Sequence, residues 1–236
     1  TPQSLQKAKT QPVAIIDRTI DKDIPVSSVN SSNTFAFIIG NENYQNVASV
    51  PFAANDAKIF SEYCHKTLGL PKENIKVYID ATYGKILGAL STLKQISQAY
   101  KGDINVIFYY AGHGVPNEKN NEAYLLPADA TPSMLEACLP LSSLYSSIGS
   151  IDAKQAIVFM DACFSGSRRE NGMIVSARGV AIKPKKDMVT GNVVVFSAAD
   201  GSETAYPYKE KGHGLFTYFL LKKLKESRGN VTLGDL

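Results

Sequence analysis

Five short apolar runs constrain this chain more than any other feature. They are Thr34–Ile39, Ile75–Ile79, Asn105–Tyr110, Gln155–Met160 and Asn192–Ser197, all rich in Val, Ile, Phe or Tyr. The runs are mostly continuous rather than alternating, which is the pattern of strands buried on both faces of a parallel sheet. Between them lie segments with helical spacing. In Lys85–Tyr100, Ile86, Leu90, Leu93 and Ile96 fall along one face, and Thr82 is placed to cap the start. Pro51–Leu68 reads the same way, with Gly69 and Pro71 as stop signals, and residues 214–226 gather Leu215, Phe216, Phe219, Leu220 and Leu224. Strands alternating with helices predict an α/β fold: a central, mainly parallel sheet with helices on both faces, a three-layer sandwich.

Residues 1–33 differ from the rest. They are rich in Gln, Ser, Asp and Lys and read as a leader or linker, with one short strand expected around Val13–Ile16. The domain proper is expected over residues 34–236. The chain starts at Thr1 and stops as a helix is expected to begin near Thr232, so it reads as a piece of a longer protein. An excised leader, and with it secretion, stays open on these grounds.

Composition removes several classes of function. The formal net charge is only +3, from 25 Lys and Arg against 22 Asp and Glu, which gives no case for nucleic acid as a partner. No apolar run approaches the roughly 18 residues of a membrane helix. Three cysteines, Cys64, Cys138 and Cys163, do not make a disulfide framework, and no C-x-x-C pair or Cys/His cluster suggests a metal site. Free thiols favour a reducing, cytoplasmic setting. No phosphate-binding glycine motif is present. Oligomeric state is not legible.

In sheets of this kind, sites form beyond the carboxyl ends of the strands. Two strand ends carry chemistry. One is the run NVIFYYAGHG, residues 105–114, which delivers His113 between two glycines. The other is IVFMDACFSGS, residues 157–167, which delivers Asp161 and Cys163. A thiolate nucleophile with a neighbouring imidazole as base, then acid, is the chemistry that such a pair permits. The backbone amides of Cys163 and Gly114 are candidate donors to an oxyanion. A second Gly-His-Gly lies at 212–214 and makes His213 a rival for the base, but His213 precedes a helix rather than ending a strand and reads first as a turn or helix-start residue. His65 reads as a helix surface or packing residue.

IIGNENY, FAANDA, YYAGHG, YLLPAD and DACFSG, in this order, resemble the caspase-like cysteine peptidases, and within them the metacaspases and their bacterial relatives. The resemblance runs from about Thr34 to the end. Asp161 stands where caspases carry Gln, which favours the metacaspase side. The separation of His113 from Cys163 also resembles that of caspases. The resemblance implies a caspase-like sandwich, a Cys163/His113 dyad, and cleavage after a basic residue (Arg or Lys at P1, just before the cut bond). It implies acidic P1-pocket residues at Asp161 and Asp56, and places Ser197, Asp200 and Glu203 of SAADGSETAY near the pocket. Asp56 also suits the plainer role of a helix-start carboxylate. Many metacaspases bind calcium through clustered aspartates. Asp129 matches one of these, but the acidic pair expected after it is missing from TPSMLEACLPL, so no cofactor or metal ligand is assigned. Relatives are also cut after the nucleophile. Arg168, Arg169, Arg178, Lys183, Lys185 and Lys186 are candidate self-cleavage positions, or else an ordinary solvated loop.

Two other functions fit some of the residues. Cys163 and Arg169 have the C-x5-R spacing of a cysteine phosphatase, although Asp161 would repel a phosphate dianion. The same fold could also serve as a catalytically silent binding module.

Overall fold

All five apolar runs form strands of one sheet. The computed structural model describes residues 16–117, 122–164, 191–198 and 206–236. Its elements, in order, are β1 (Thr34–Gly40), α1 (Ala53–Lys66), β2 (Ile75–Ile79), α2 (Tyr83–Ala99), β3 (Asn105–Asn117), β4 (Glu122–Leu125), β5 (Leu139–Pro140), α3 (Leu141–Gly149), β6 (Gln155–Cys163), β7 (Val193–Ser197), β8 (Pro207–Tyr208), β9 (His213–Gly214) and α4 (Leu215–Ser227). The parallel strands run in the order β2-β1-β3-β6-β7. The far part of β3 pairs antiparallel with β4, and β4 with β5.

Strand alternation explains why the runs are continuous. On β1, Phe35, Phe37 and Ile39 point into one core, while Ala36 and Ile38 point into the other. On β3 the split is Val106, Phe108 and Tyr110 against Ile107, Tyr109 and Ala111. One core is closed by Ile86, Leu90 and Leu93 of α2 with Leu144, Tyr145 and Ile148 of α3. The other is closed by Phe60 and Tyr63 of α1 with Leu220, Leu221 and Leu224 of α4. Both sheet faces are covered, as a parallel sheet requires. No helix among the described residues is long and apolar enough to cross a membrane.

The helix starts differ in chemistry. Thr82 caps α2 as expected, its hydroxyl accepting from Lys85 N at 3.3 Å. At α1 the preceding residue, Phe52, has no capping side chain, and the Glu42 carboxylate reaches in to accept from Ala54 N at 3.0 Å. Helix α3 and strands β4 and β5 are too short to stand out in the apolar pattern.

β3 and β6 run past the ends expected for them. β1 stops at Gly40, opposite Ala111. Beyond that row β3 takes β4 as a new partner, from Gly114 opposite Leu125 to Asn117 opposite Glu122. Ala, Gly and Pro are poor strand formers, so the extension is set by these pairings and not by local preference.

Residues 17–33 pack against the domain. Ile20 is buried in the α1/α4 core. Tyr63 Oη donates to Ile20 O at 2.9 Å, Thr67 Oγ1 to Pro25 O at 2.8 Å, and Lys225 Nζ to Thr19 O at 2.8 Å. The strand expected at Val13–Ile16 falls, except for Ile16, outside the described residues. At the other end, Thr232 Oγ1 donates to Asp235 Oδ2 at 2.6 Å in a turn rather than a helix.

Phe60 is fully buried and stacks on Tyr109, ring centroids 4.7 Å apart, with Phe159 edge-on at 5.6 Å. Phe60→Ala is expected to destabilise the fold by about 3–5 kcal/mol. Denaturant unfolding should show a lower midpoint at an unchanged slope.

Candidate active site

His113 and Cys163 are paired neighbours in the β3/β6 ladder. In-register residues on adjacent parallel strands lie about 4.8 Å apart and point to the same face. Counting back in twos, that face is the one carrying Tyr109, Ala111 and Phe159, under α1 and α4. Asp161 lies two residues before Cys163 on the same strand and shares the face.

The three thiols are not equivalent. Cys64 and Cys138 are buried and Cys163 is partly exposed. Burial pushes the Cys64 thiol far above its ordinary range. Burial, with the nearby Glu136 charge, pushes Cys138 up to about 11.

His113 is 7% exposed and held on every side. Its Nε2 faces Ala48 O at 2.8 Å. A carbonyl only accepts, so Nε2 must carry hydrogen, and in the neutral ring Nδ1 is then the basic nitrogen. The backbone is held as firmly. His113 N donates to Tyr44 Oη at 2.8 Å, and His113 O accepts from Tyr110 Oη at 2.9 Å and from Leu126 N at 3.1 Å. The Tyr44 ring also packs on the imidazole, centroids 4.8 Å apart. Gly114 has no room for a side chain: a Cβ there would lie 2.5 Å from Phe164 Cε1 and 2.6 Å from Cys163 O.

Asp161 and Asp56 meet beside this pair. They line one narrow cleft with Val50, Ala111, Tyr206 and Gly214. Asp161, 4% exposed, accepts at Oδ2 from Thr217 Oγ1 at 2.7 Å and from Thr217 N at 3.3 Å. Thr217 Oγ1 also contacts Tyr109 Oη at 2.6 Å. Asp56, 2% exposed, sits in the first turn of α1, yet its carboxylate turns to the β8/β9 hairpin. Its Oδ2 accepts from Gly214 N at 2.9 Å and its Oδ1 meets His213 Nδ1 at 2.5 Å. Burial raises the Asp56 pKa to about 7, the Asp161 charge adds to the rise, and the bond with His213 opposes it.

His213 is therefore more than the turn residue its position suggests. It lies in β9, fully buried, with Nε2 on Asp21 Oδ1 at 2.7 Å. Burial alone would lower its pKa, but the bond and charge of Asp56 and the charge of Asp21 outweigh this and raise it. His65, half-buried on α1, bonds through Nδ1 with Leu70 O at 2.8 Å.

The remaining candidates are scattered. Ser197 ends β7, exposed, on an adjoining apolar groove with Leu215, Phe216 and Phe219. Asp129 accepts from Tyr83 N at 2.9 Å, at the start of α2. No group of three His, Cys, Asp or Glu among the described residues is placed to hold a metal ion. Arg168, Arg169, Arg178, Lys183, Lys185, Lys186, Asp200 and Glu203 lie outside the described residues.

The sequence pattern assigns no role to Tyr44, Ala48, Thr217 or Asp21, and gives His213 first that of a turn or helix-start residue. Tyr44 ends the IIGNENY motif, and the second Gly-His-Gly is a visible signal. Nothing in the local pattern of residues 17–33 marks Asp21.

A family model described as the caspase domain matches residues 33–236. The chain is similar to a paracaspase of Dictyostelium discoideum, 29% identical over 203 residues, covering 85% of this chain and 46% of that protein. It is also similar to a probable protease of a Desulfuromonadales bacterium, 26% identical over 159 residues, covering 66% of this chain and 19% of that one. The chain thus spans less than half the length of these curated relatives. Among solved structures, caspase-1 from Spodoptera frugiperda matches with a TM-score of 0.58 at 14% identity, covering 89% of this chain and 75% of that one. A protein from Geobacter sulfurreducens matches with a TM-score of 0.60 at 18% identity, covering 83% of each chain. At such identities these two speak to the fold alone.

In the native protein, iodoacetamide is expected to modify Cys163 at least about tenfold faster than Cys64 or Cys138, because the latter two are enclosed and held as thiols. Peptide mapping after timed labelling checks this. Equal labelling of all three before denaturation would contradict the burial described.

Proposed function

We propose, on the premise that this chain belongs to the caspase-domain family of cysteine peptidases, that it cuts peptide bonds after Arg or Lys through Cys163 and His113. The observation that carries this reading is the ladder pairing of His113 with Cys163 beside a cleft holding two buried carboxylates.

The chemistry proceeds in two balanced halves. Nδ1 of His113 takes the Cys163 proton as the sulfur attacks the scissile carbonyl. The negative charge passes to the carbonyl oxygen, for which the backbone N–H groups of Cys163 and Gly114 are the proposed donors. The tetrahedral adduct collapses by breaking the C–N bond, and the His113 imidazolium gives its proton to the leaving amine. A thioester to Cys163 remains. Water then attacks it, losing a proton to His113, and the Cys163 sulfur leaves with a proton returned from the imidazolium. The bond from Nε2 to Ala48 O keeps the ring in the tautomer that this cycle needs.

Specificity is assigned to charge. A guanidinium or ammonium entering the cleft meets Asp161 and Asp56, and such charge-assisted bonds are among the strong ones. We assign Ser197, on the adjoining groove, as a further wall of the substrate site. The basic segment carrying Arg168, Arg169, Arg178, Lys183, Lys185 and Lys186 would then be a substrate of the enzyme itself.

Peptides with Arg, Lys or Asp at P1, assayed with and without calcium, test the reading. Turnover of the two basic peptides is expected, none for Cys163→Ala, and a loss of about 10²- to 10⁴-fold for His113→Ala. Wild type is expected to fragment on incubation while Cys163→Ala does not. Full activity in Cys163→Ala, or cleavage only at Asp, would sink the proposal. No turnover, with no labelling of Cys163 by a thiol-reactive peptide, would leave a binding module. Hydrolysis of an aryl phosphate lost in Cys163→Ser would leave a phosphatase.

The charge of Asp161 beside Cys163 adds a second expectation. Like charges raise a thiol's pKa, so Asp161 opposes formation of the Cys163 thiolate until a cation arrives. Arginine amide is expected to lower the pH midpoint of Cys163 alkylation, and an unmoved midpoint would refute this coupling.

A further inference from the structure

His213 uses both ring nitrogens on carboxylates, Asp56 at 2.5 Å and Asp21 at 2.7 Å. A neutral imidazole has one donor and one acceptor, and an ionised carboxylate can only accept. Two ionised carboxylates are therefore satisfied together only by the doubly protonated ring. All three groups are withdrawn from water: the side chains of His213, Asp56 and Asp21 are 0%, 2% and 12% exposed. A buried charge is tolerated only with a partner, so the imidazolium is what keeps the Asp56 carboxylate ionised inside the fold.

The same contacts fix how Asp56 is aimed. One oxygen is held by His213 and the other by Gly214 N. The approach needs glycine at 214, since a Cβ there would stand 3.2 Å from Asp56 Oδ2 and closer still to Asp161 Oδ2. The groups facing the imidazole come from every neighbouring element. Asp21 comes from the turn Thr19–Asp21 and Asp56 from α1, with Asp161 of β6 behind it; Tyr218 of α4 has its ring 6.5 Å away. Lys211 is occupied elsewhere, paired with Asp17 at 2.6 Å and lying 5.8 Å over the Tyr218 ring. One imidazolium does not offset three carboxylates, so the cluster keeps an excess of negative charge directed at the cleft.

We propose that His213, clamped between Asp21 and Asp56, is a positioning residue for the P1 pocket, and that Asp21 thereby takes part in selecting a basic substrate side chain. Asp21 lies outside the matched family span, which begins at residue 33. The inference rests on the reading of Asp56 and Asp161 as the P1 pocket. Asp17 gives an internal control, because its bond to Lys211 ties the same segment to the same hairpin without touching His213.

The experiment compares Asp21→Asn, His213→Gln, Asp21→Glu and Asp17→Asn with wild type on P1-Arg peptides. Active sites are counted by Cys163 labelling and folding is checked by thermal melting. Histidine-selective NMR on the full chain, which has three histidines, reads the ring charge directly. Asp21→Asn and His213→Gln are expected to raise KM about tenfold with a smaller change in kcat, with Asp21→Glu recovering part of the loss and Asp17→Asn unchanged. The wild-type His213 ring is expected to stay doubly protonated above pH 6.5, and to titrate lower in Asp21→Asn. A wild-type ring titrating at the ordinary value overturns the inference. So does an Asp21→Asn variant whose KM rises no more than that of Asp17→Asn. If Asp21→Asn does not fold, His213→Gln and the wild-type NMR decide the matter. Wild type with no preference for P1-Arg over P1-Asp removes the pocket reading itself, and this inference with it, whereas a kept preference with unchanged KM values removes the inference alone.

Discussion

The parallel pairing of β3 with β6 is the constraint on which the rest depends. Its register runs unbroken from Asn105 opposite Gln155 to His113 opposite Cys163. The same ladder that closes the middle of the sheet therefore sets the spacing of the proposed dyad. A slip of one residue would send one of the two side chains to the other face. The large side chains of both cores, Tyr109 and Phe159 on one face and Phe108 and Val158 on the other, resist such a slip. Packing far from the cleft thus protects geometry at its rim.

Much of this was legible in the sequence because it depends on local pattern. Continuous runs such as Ile75–Ile79 became strands at their expected bounds, and Thr82 caps α2. The chemistry-bearing ends were legible because Gly-His-Gly and Asp-Ala-Cys each follow an apolar run. What could not be read is what depends on distant partners. β3 continues past Tyr110 because β4 arrives to pair with it. α1 is capped by Glu42 rather than by its own preceding residue. His213 looked like a turn residue because its two partners lie far away in the chain, at 21 and 56. A buried ion cluster leaves no periodicity behind, only residues that look ordinary one by one.

The cleft has an unusual division of labour. Asp161 is satisfied by neutral donors, the hydroxyl and amide of Thr217. Asp56 is satisfied by a titratable one, and burial has already brought its own carboxyl up to about 7. Asp161 has no histidine among its described partners. The two carboxylates, though adjacent, are thus held by different kinds of donor.

The acceptor for His113 Nε2 is the backbone oxygen of residue 48, and every amino acid carries one. The orienting element of this histidine is thus encoded by the path of the loop joining β1 to α1, not by the identity of any side chain. Scanning position 48 by substitution would return a tolerant site, and alignments would show it free to drift. Insertions or deletions in residues 41–52 would be another matter, since they would carry the oxygen away from the ring. Family members that keep the histidine but differ in this loop's length would have to orient it by some other means.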